Sequence, residues 1–334
     1  MTDTGRLTSG ATRAAGTTGT TGATEATGAT GADWSVRDGL ATLDEPAVVL
    51  RAALDAVFTR WGAEAGARQQ SYPPLLRVED LRTLDYFRNF PHLGSPVTRI
   101  RPDRLATLAT TPYEPTPPYE PTPPYDAAEP PGSASEPPGP AALPAADLAD
   151  ATHLLPSAAC YGCFVHLTGS SSDTPVLVST VAQCFRREDH HDGLRRLWGF
   201  TMRELVCVGS ADTVRAHLDR HRERILAFGA SLGLALDRRP ATDPFFQKDG
   251  ARTVMQLLAP VKEEYLHTDG TALASTNNHR NFFGERRTID HAGRPAFTGC
   301  VAFGLERWVH ALGDLFEGDL AAAHRAVRRA GERS

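Results

Sequence analysis

The 334-residue sequence is 41% hydrophobic, enough to bury a substantial core as one large domain or two smaller ones, while its 25 prolines and 29 glycines concentrate in two stretches and reduce the expected folded part to about three quarters of the chain. A formal net charge of -5, with basic residues dispersed among acids, gives no sign of a surface built for a nucleic-acid backbone. No apolar run approaches the ~20 residues of a membrane span, and Met1 to Asp33 lacks the apolar core of a secretory signal, so a cytoplasmic protein is expected.

Residues 1–33 are nearly all Thr, Gly and Ala, too poor in apolar bulk to offset the entropy of ordering, and read as a disordered tail. Trp34 to Gly39 is transitional. Asp44, Glu45 and Pro46 then start a helix in which Leu50, Leu54, Val57, Phe58 and Trp61 recur at helical spacing. Tyr72 to Ile100 belongs to the folded body, which is expected over 34–318. It is interrupted at about 111–144 by a Pro-rich insertion that begins with repeats of the Thr-Pro-Tyr-Glu-Pro kind and favours extended backbone. Leu155 to Leu167, Val176 to Glu188 and Leu197 to Val208 read as strands. Ser210 caps a long helix that buries Val214, His217, Leu218, Ile225, Phe228 and Leu232 and stops at Gly233, with Arg215, Arg220, Arg222, Glu223 and Arg224 on its other side. Val254 to Val261, Thr271 to Ser275 and Ala296 to Ala302 are strand-like. The chain turns helical from Phe303, and 319–334 form a C-terminal basic helix and tail. Strands joined mostly by hairpins predict an α+β fold: an antiparallel sheet flanked by helices.

The chemistry gathers in the hairpin from Gln183 to Val208. Side chains two apart on a strand share a face, so Arg186 pairs with Glu188 and Phe200 with Glu204. An arginine fork matches phosphate oxygens, an aromatic face stacks on a purine, and a carboxylate accepts from an exocyclic amine, so this surface suits a nucleotide. A second constellation, Thr298 to Trp308, runs from a Gly-containing strand end into a helix whose first turn carries Arg307, where a polyphosphate could meet backbone donors and a guanidinium. The five cysteines are odd in number, without tight pairing, and suit reduced thiols or metal ligation rather than a disulfide framework. Cys160, Glu204 and Cys300 are either inert thiols beside an acid or three ligands of a zinc ion with an open position.

In this order the motifs resemble a known family. Phe185-Arg186-Arg187-Glu188, followed by Arg196 and Phe200, resembles motif 2 of class II aminoacyl-tRNA synthetases, Gly304-Leu305-Glu306-Arg307 resembles their motif 3, and Asn277 to Gly284 is similar to a segment that closes seryl-tRNA synthetase active sites. Leu155 to Tyr161, Cys184 to Glu188, Thr242 to Phe246 and Thr298 to Cys300 resemble a truncated branch, the amino acid:[carrier protein] ligases. The similarity covers about 45 to 100 and 150 to 318.

The resemblance implies a class II synthetase-like fold and ATP-dependent activation of a small amino acid, glycine or alanine, with transfer to the phosphopantetheine thiol of an acyl carrier protein. It implies that Arg186 holds the α-phosphate and attacking carboxylate, Glu188 reads the adenine amine, Phe200 stacks under adenine, Arg307 holds the γ-phosphate, and Arg196 and Asn278 belong to the ATP site. Cys160, Glu204 and Cys300 would ligate zinc, whose open position takes the substrate amine, and Asp243 would help read that substrate. Cys163 lies close to Cys160, but the Ala-Cys-Tyr context favours Cys160. The Ser210 helix would dock the acidic carrier, and a homodimer is implied. Magnesium would accompany ATP, although a metal-binding Glu of the synthetases falls at Ala272 here. The alternatives are a seryl-tRNA synthetase-like enzyme, disfavoured because only one clear helix precedes residue 150, and a non-catalytic adenylate-binding homologue, which Ala272 supports.

Overall fold

A computed structural model describes residues 33–110, 142–243 and 261–334. Apart from Asp33, the expected tail lies outside the described residues. So do most of the Pro-rich stretch, the expected strand at Val254 to Val261 save its last residue, and Pro244, Phe245 and Phe246 of the Thr242 motif.

The chain from Asp33 to Ser334 packs as a single unit around a mixed sheet, nine-stranded among the described residues. Its long strands run Val176–Phe185, Gly199–Gly209, Phe297–Gly304, Ala272–Arg280, Lys262–Leu266 and Asp237–Ala241 in spatial order, each antiparallel to its neighbour. Short parallel pairings add Arg68–Gln69 at one edge and join Leu40 to Gly199. The hairpin expected around the polar turn is present, with Val176 opposite Val208 and Phe185 opposite Gly199.

Three helices cover one face. Glu45–Glu64 buries Leu50, Leu54, Val57, Phe58 and Trp61, as their spacing predicts, with Pro46 in its first turn. Ala211–Leu232 begins at Ser210, whose hydroxyl accepts from the Thr213 N–H, and ends at Gly233 with φ 89°, a conformation that a side chain would strain. Leu305–Leu315 adds Trp308, Val309 and Leu312. Against them the sheet presents Leu205, Cys207, Val301 and Phe303, and the Phe58 and Phe303 rings stack with centroids 3.9 Å apart. The helix Leu320–Arg333 joins the same core through Leu320, Ala323 and Val327.

Three expectations need correction. Leu155 to Leu167 is not a strand: after two strand residues, His153–Leu154, it forms the helix Cys160–His166. A short apolar run carries no periodicity that separates a buried strand from a buried helix. Trp34 to Gly39 is not merely transitional, because Trp34–Arg37 pairs with Leu40–Leu43 across Asp38 and Gly39, both at positive φ, an Asp-Gly hairpin turn. The strand expected at Thr271 to Ser275 extends to Arg280.

On Ala211–Leu232, His217 and His221 are both buried one turn apart, and His221 Nε2 has no hydrogen-bond partner. Burial holds them far below an ordinary imidazole, at about 3 and about 4. Their neutral forms therefore stabilise the fold above about pH 6.5, and that stability is lost as the pH falls toward 4, because the unfolded chain takes up protons first. The melting temperature should drop over that window, and His221→Leu should flatten the drop; an unchanged pH profile in the variant would contradict this reading.

Candidate active site

The sheet face opposite the three helices carries a cavity of about 480 Å³. Strand alternation puts Phe200, Met202 and Glu204 on that face and sends Arg203 to the helix side, where it meets Asp55 at 2.7 and 2.8 Å. The neighbouring strand contributes Cys300, Ala302 and Gly304. Gly299 faces the other way, where an added Cβ would lie 2.8 Å from Val214, so the close approach of the long helix requires glycine there.

At one end of the cavity stand the arginines. Arg186 Nε donates to the Ser157 carbonyl at 2.9 Å, and its guanidinium lies 5.2 Å from the centroid of the Phe200 ring. Arg307 is held by two carbonyls: its Nε donates to Arg195 O at 2.9 Å and its Nη1 to Ala272 O at 3.1 Å. Burial first, and then the nearby Arg186, draws the Arg307 guanidinium below its ordinary pKa. Glu188 lines the cavity and accepts from Arg196. Arg196 itself is not among the lining residues; its neighbour Arg195 is. Glu306, one residue before Arg307, accepts from the Thr201 N–H at 2.7 Å and from Arg51 at 3.0 Å, tying the helix start to the central strand.

At the other end, Cys160, Glu204 and Cys300 are all buried, and one ligand atom from each lies within 4.8 Å of the others. Glu204 Oε1 accepts from the N–H groups of Ala159 at 2.8 Å and Cys160 at 3.2 Å, while its Oε2 is buried without a partner. The adjoining Cys300 thiol, then burial and the Glu204 charge, raise Cys160 well above an ordinary thiol. The Cys160 thiol lowers Cys300, but burial and Glu204 outweigh it and bring Cys300 to about 11. Two thiols and an orphaned carboxylate oxygen turned toward one another make a donor set that suits a thiophilic divalent cation. Cys163 stays outside it, beside Tyr72 in an apolar cluster, where burial pushes it up to about 12. Burial holds His279, whose Nε2 lies 3.7 Å from Cys300 Sγ, neutral with a pKa of about 4.

Asp243 and Asn278 also line the cavity, so of the residues singled out from the sequence only Arg196 is off its wall. Sequence reasoning missed Arg195, Lys262 and Glu264. Lys262 Nζ lies 3.2 Å from Glu264 and 3.6 Å from Asp243. Lys262 and Glu264 come two apart on one strand, and that alternation was their one signal.

No protein-family model matches the chain. It is 37% identical over 194 residues to amino acid–[acyl-carrier-protein] ligase 2 of Bradyrhizobium diazoefficiens, covering 54% of this chain and 57% of that protein. It is 30% identical over 279 residues to amino acid–[acyl-carrier-protein] ligase 1 of the same organism, covering 79% of this chain and 76% of that protein. The chain thus spans little more than half the length of the first relative. Among solved structures it resembles the M. kandleri seryl-tRNA synthetase bound to A. aeolicus tRNASec, with a TM-score of 0.67 and 17% identity over 88% of this chain and 56% of that one. The fold is that of the class II aminoacyl-tRNA synthetases, as the motif 2 and motif 3 resemblance implied.

The donor cluster makes a measurable prediction. Protein purified with zinc in the buffer should retain about one equivalent of the metal after dialysis; Cys300→Ser should lose most of it, and Cys163→Ser should keep it. Elemental analysis of the three proteins decides, and equal metal in all of them would remove the cluster from consideration.

Proposed function

The chain belongs to the amino acid–[acyl-carrier-protein] ligase family, and on that premise we propose that it activates a small amino acid with ATP and passes the aminoacyl group to the phosphopantetheine thiol of a carrier protein. One observation carries this reading: a single cavity holds an arginine-rich end that suits a nucleotide and a thiol–carboxylate end that suits a metal-bound amine.

In the first step a carboxylate oxygen of the amino acid attacks the α-phosphorus and the bond to pyrophosphate breaks. No proton need move, so the protein's task is charge neutralisation and alignment. Arg186, anchored by Ser157, serves the α-phosphate and the attacking carboxylate. Arg307 serves the γ-phosphate. Adenine stacks on Phe200, with Glu188 accepting from its amine and Asn278 on the same wall, and Arg196 acts through its pairing with Glu188. Magnesium would accompany the phosphates. The position where the synthetases carry that Glu is Ala272, whose carbonyl holds Arg307, and Glu264 is a carboxylate on the cavity wall that would take the role.

Cys160, Glu204 and Cys300 fit a zinc ion, which when bound would take a free α-amine at its open position and so select α-amino acids. Asp243, beside Lys262, would bound the substrate's far side. Glycine or alanine suits a subsite enclosed by these residues. In the second step the carrier's sulfur attacks the acyl carbon and AMP leaves.

The helix Ala211–Leu232 is the proposed carrier-docking element. Arg222, bound to Asp219 and to Glu263 at 2.8 Å, and Arg224, bound to Glu64, are half-buried, while Arg215, paired with Asp212 at 3.1 Å, and Arg220 are exposed. A homodimer is proposed with this fold and is read by light scattering.

Purified protein should catalyse pyrophosphate exchange into ATP that depends on glycine or alanine, and Arg186→Ala should slow it at least about 100-fold, as losing a transition-state cation does elsewhere. Absence of exchange with every small amino acid would overturn the adenylation reading, and serylation of bound tRNA would put the synthetase alternative in its place.

A further inference from the structure

Asp269 stands outside every motif the sequence singled out, in the turn between the strands Lys262–Leu266 and Ala272–Arg280. Its carboxylate joins three segments. One oxygen accepts from the Thr271 N–H at 2.9 Å, which pins the turn leading into Ala272. The other accepts from His310 Nε2 at 2.9 Å, on the helix that carries Arg307 one turn earlier. The same oxygen lies 3.5 Å from Arg195 Nε in the hairpin loop, an ion pair rather than a hydrogen bond.

Those segments are the ones that fix Arg307. Its Nε is held by the Arg195 carbonyl and its Nη1 by the Ala272 carbonyl. Asp269 therefore ties down both carbonyls that aim the guanidinium, together with the helix that supplies it. Burial alone would raise the Asp269 carboxyl, but the Thr271 N–H, His310 and Arg195 outweigh it and hold it well below the usual carboxylate range, so it is charged at neutral pH. Loss of that charge would release the hairpin loop from the turn without removing any group from the cavity wall, because Asp269 and His310 do not line it.

We propose that Asp269, supported by His310, is a positioning residue that sets the Arg307 guanidinium for the terminal phosphates of ATP. This rests on the ATP reading given above, and goes beyond it by making polyphosphate recognition depend on a carboxylate that touches neither nucleotide nor amino acid.

The test is calorimetric binding of ATP and of AMP to the full chain, in wild type, Asp269→Asn and His310→Ala. AMP lacks the phosphates assigned to Arg307, so a merely structural defect weakens both ligands while a positioning defect separates them. Asp269→Asn should weaken ATP about tenfold and His310→Ala about threefold, with AMP affinity changed by less than about twofold in each. If Asp269→Asn fails to fold, His310→Ala alone decides. ATP and AMP falling together, or neither falling, would overturn the proposal. Binding is read without turnover, so wild type that binds ATP but exchanges no pyrophosphate would sink adenylation and leave this inference standing on the ATP/AMP difference.

Discussion

The central strand Gly199–Gly209 has to carry an arginine and a glutamate side by side, both buried, and the pleat resolves this by sending them to opposite faces. Arg203 goes to the helix side and finds Asp55 and the Ser179 hydroxyl; Glu204 goes to the cavity side and finds two backbone N–H groups. A slip of one residue would drive Glu204 into the aromatic core around Phe58 and Phe303 and turn Leu205 into the cavity. The cost of burying an unpaired charge, several kcal/mol even after relaxation, makes that register decisive. Since the strand pairs on both sides, with Val176–Phe185 and with Phe297–Gly304, its register also fixes where Cys184 and Cys300 point.

Glu204 is an incompletely solved problem of burial. Oε1 is satisfied by the start of the helix Cys160–His166, but Oε2 has no partner, and within 4.8 Å of the carboxylate lie two thiols that its own charge helps keep protonated. A satisfied structural carboxylate would have a guanidinium or hydroxyl in that place, as Asp80 has Arg287 at 2.9 Å in an equally buried setting. A cation among the three would satisfy the oxygen and reverse the thiol shifts in one step, because metal ligation deprotonates a coordinating thiol. The contrast between the two buried carboxylates supports a ligand-binding role for the first.

What could be read beforehand divides along physical lines. Elements fixed by local signals were legible: the helix from Glu45 by Pro46 and its apolar spacing, the helix from Ala211 by its Ser210 cap and Gly233 stop, and the hairpin by period-two patterning. Pro156, Gly162 and a short apolar run do not separate helix from strand, so the Cys160 helix is not legible in them. Cys160, Glu204 and Cys300 lie too far apart for spacing to join them, and only family resemblance did so before the sheet register brought them together. Arg195 and Arg196 are adjacent in one loop, and which of them reaches the cavity is decided by tertiary partners, Asp269 for the one and Glu188 for the other. Lys262 and Glu264 sit on a strand that no motif marked.

The arginines differ in the kind of partner that holds them, and this difference bears on what they can bind. Arg196 is paired with a carboxylate, which cancels most of its field. Arg186 and Arg307 are anchored by backbone carbonyls, which orient a guanidinium without neutralising it, so both bring positive charge to the cavity. Two such cations near one another in a partly desolvated site repel, and the lowered pKa of Arg307, set by burial and then by Arg186, records the cost. A polyanion entering between them removes that repulsion while gaining donors already in place, so the arrangement favours a polyphosphate over a single carboxylate. Preorganised positive charge of this kind needs no reorganisation when negative charge builds on a phosphate, and it is obtained here by spending carbonyl oxygens, rather than acids, on holding the arginines.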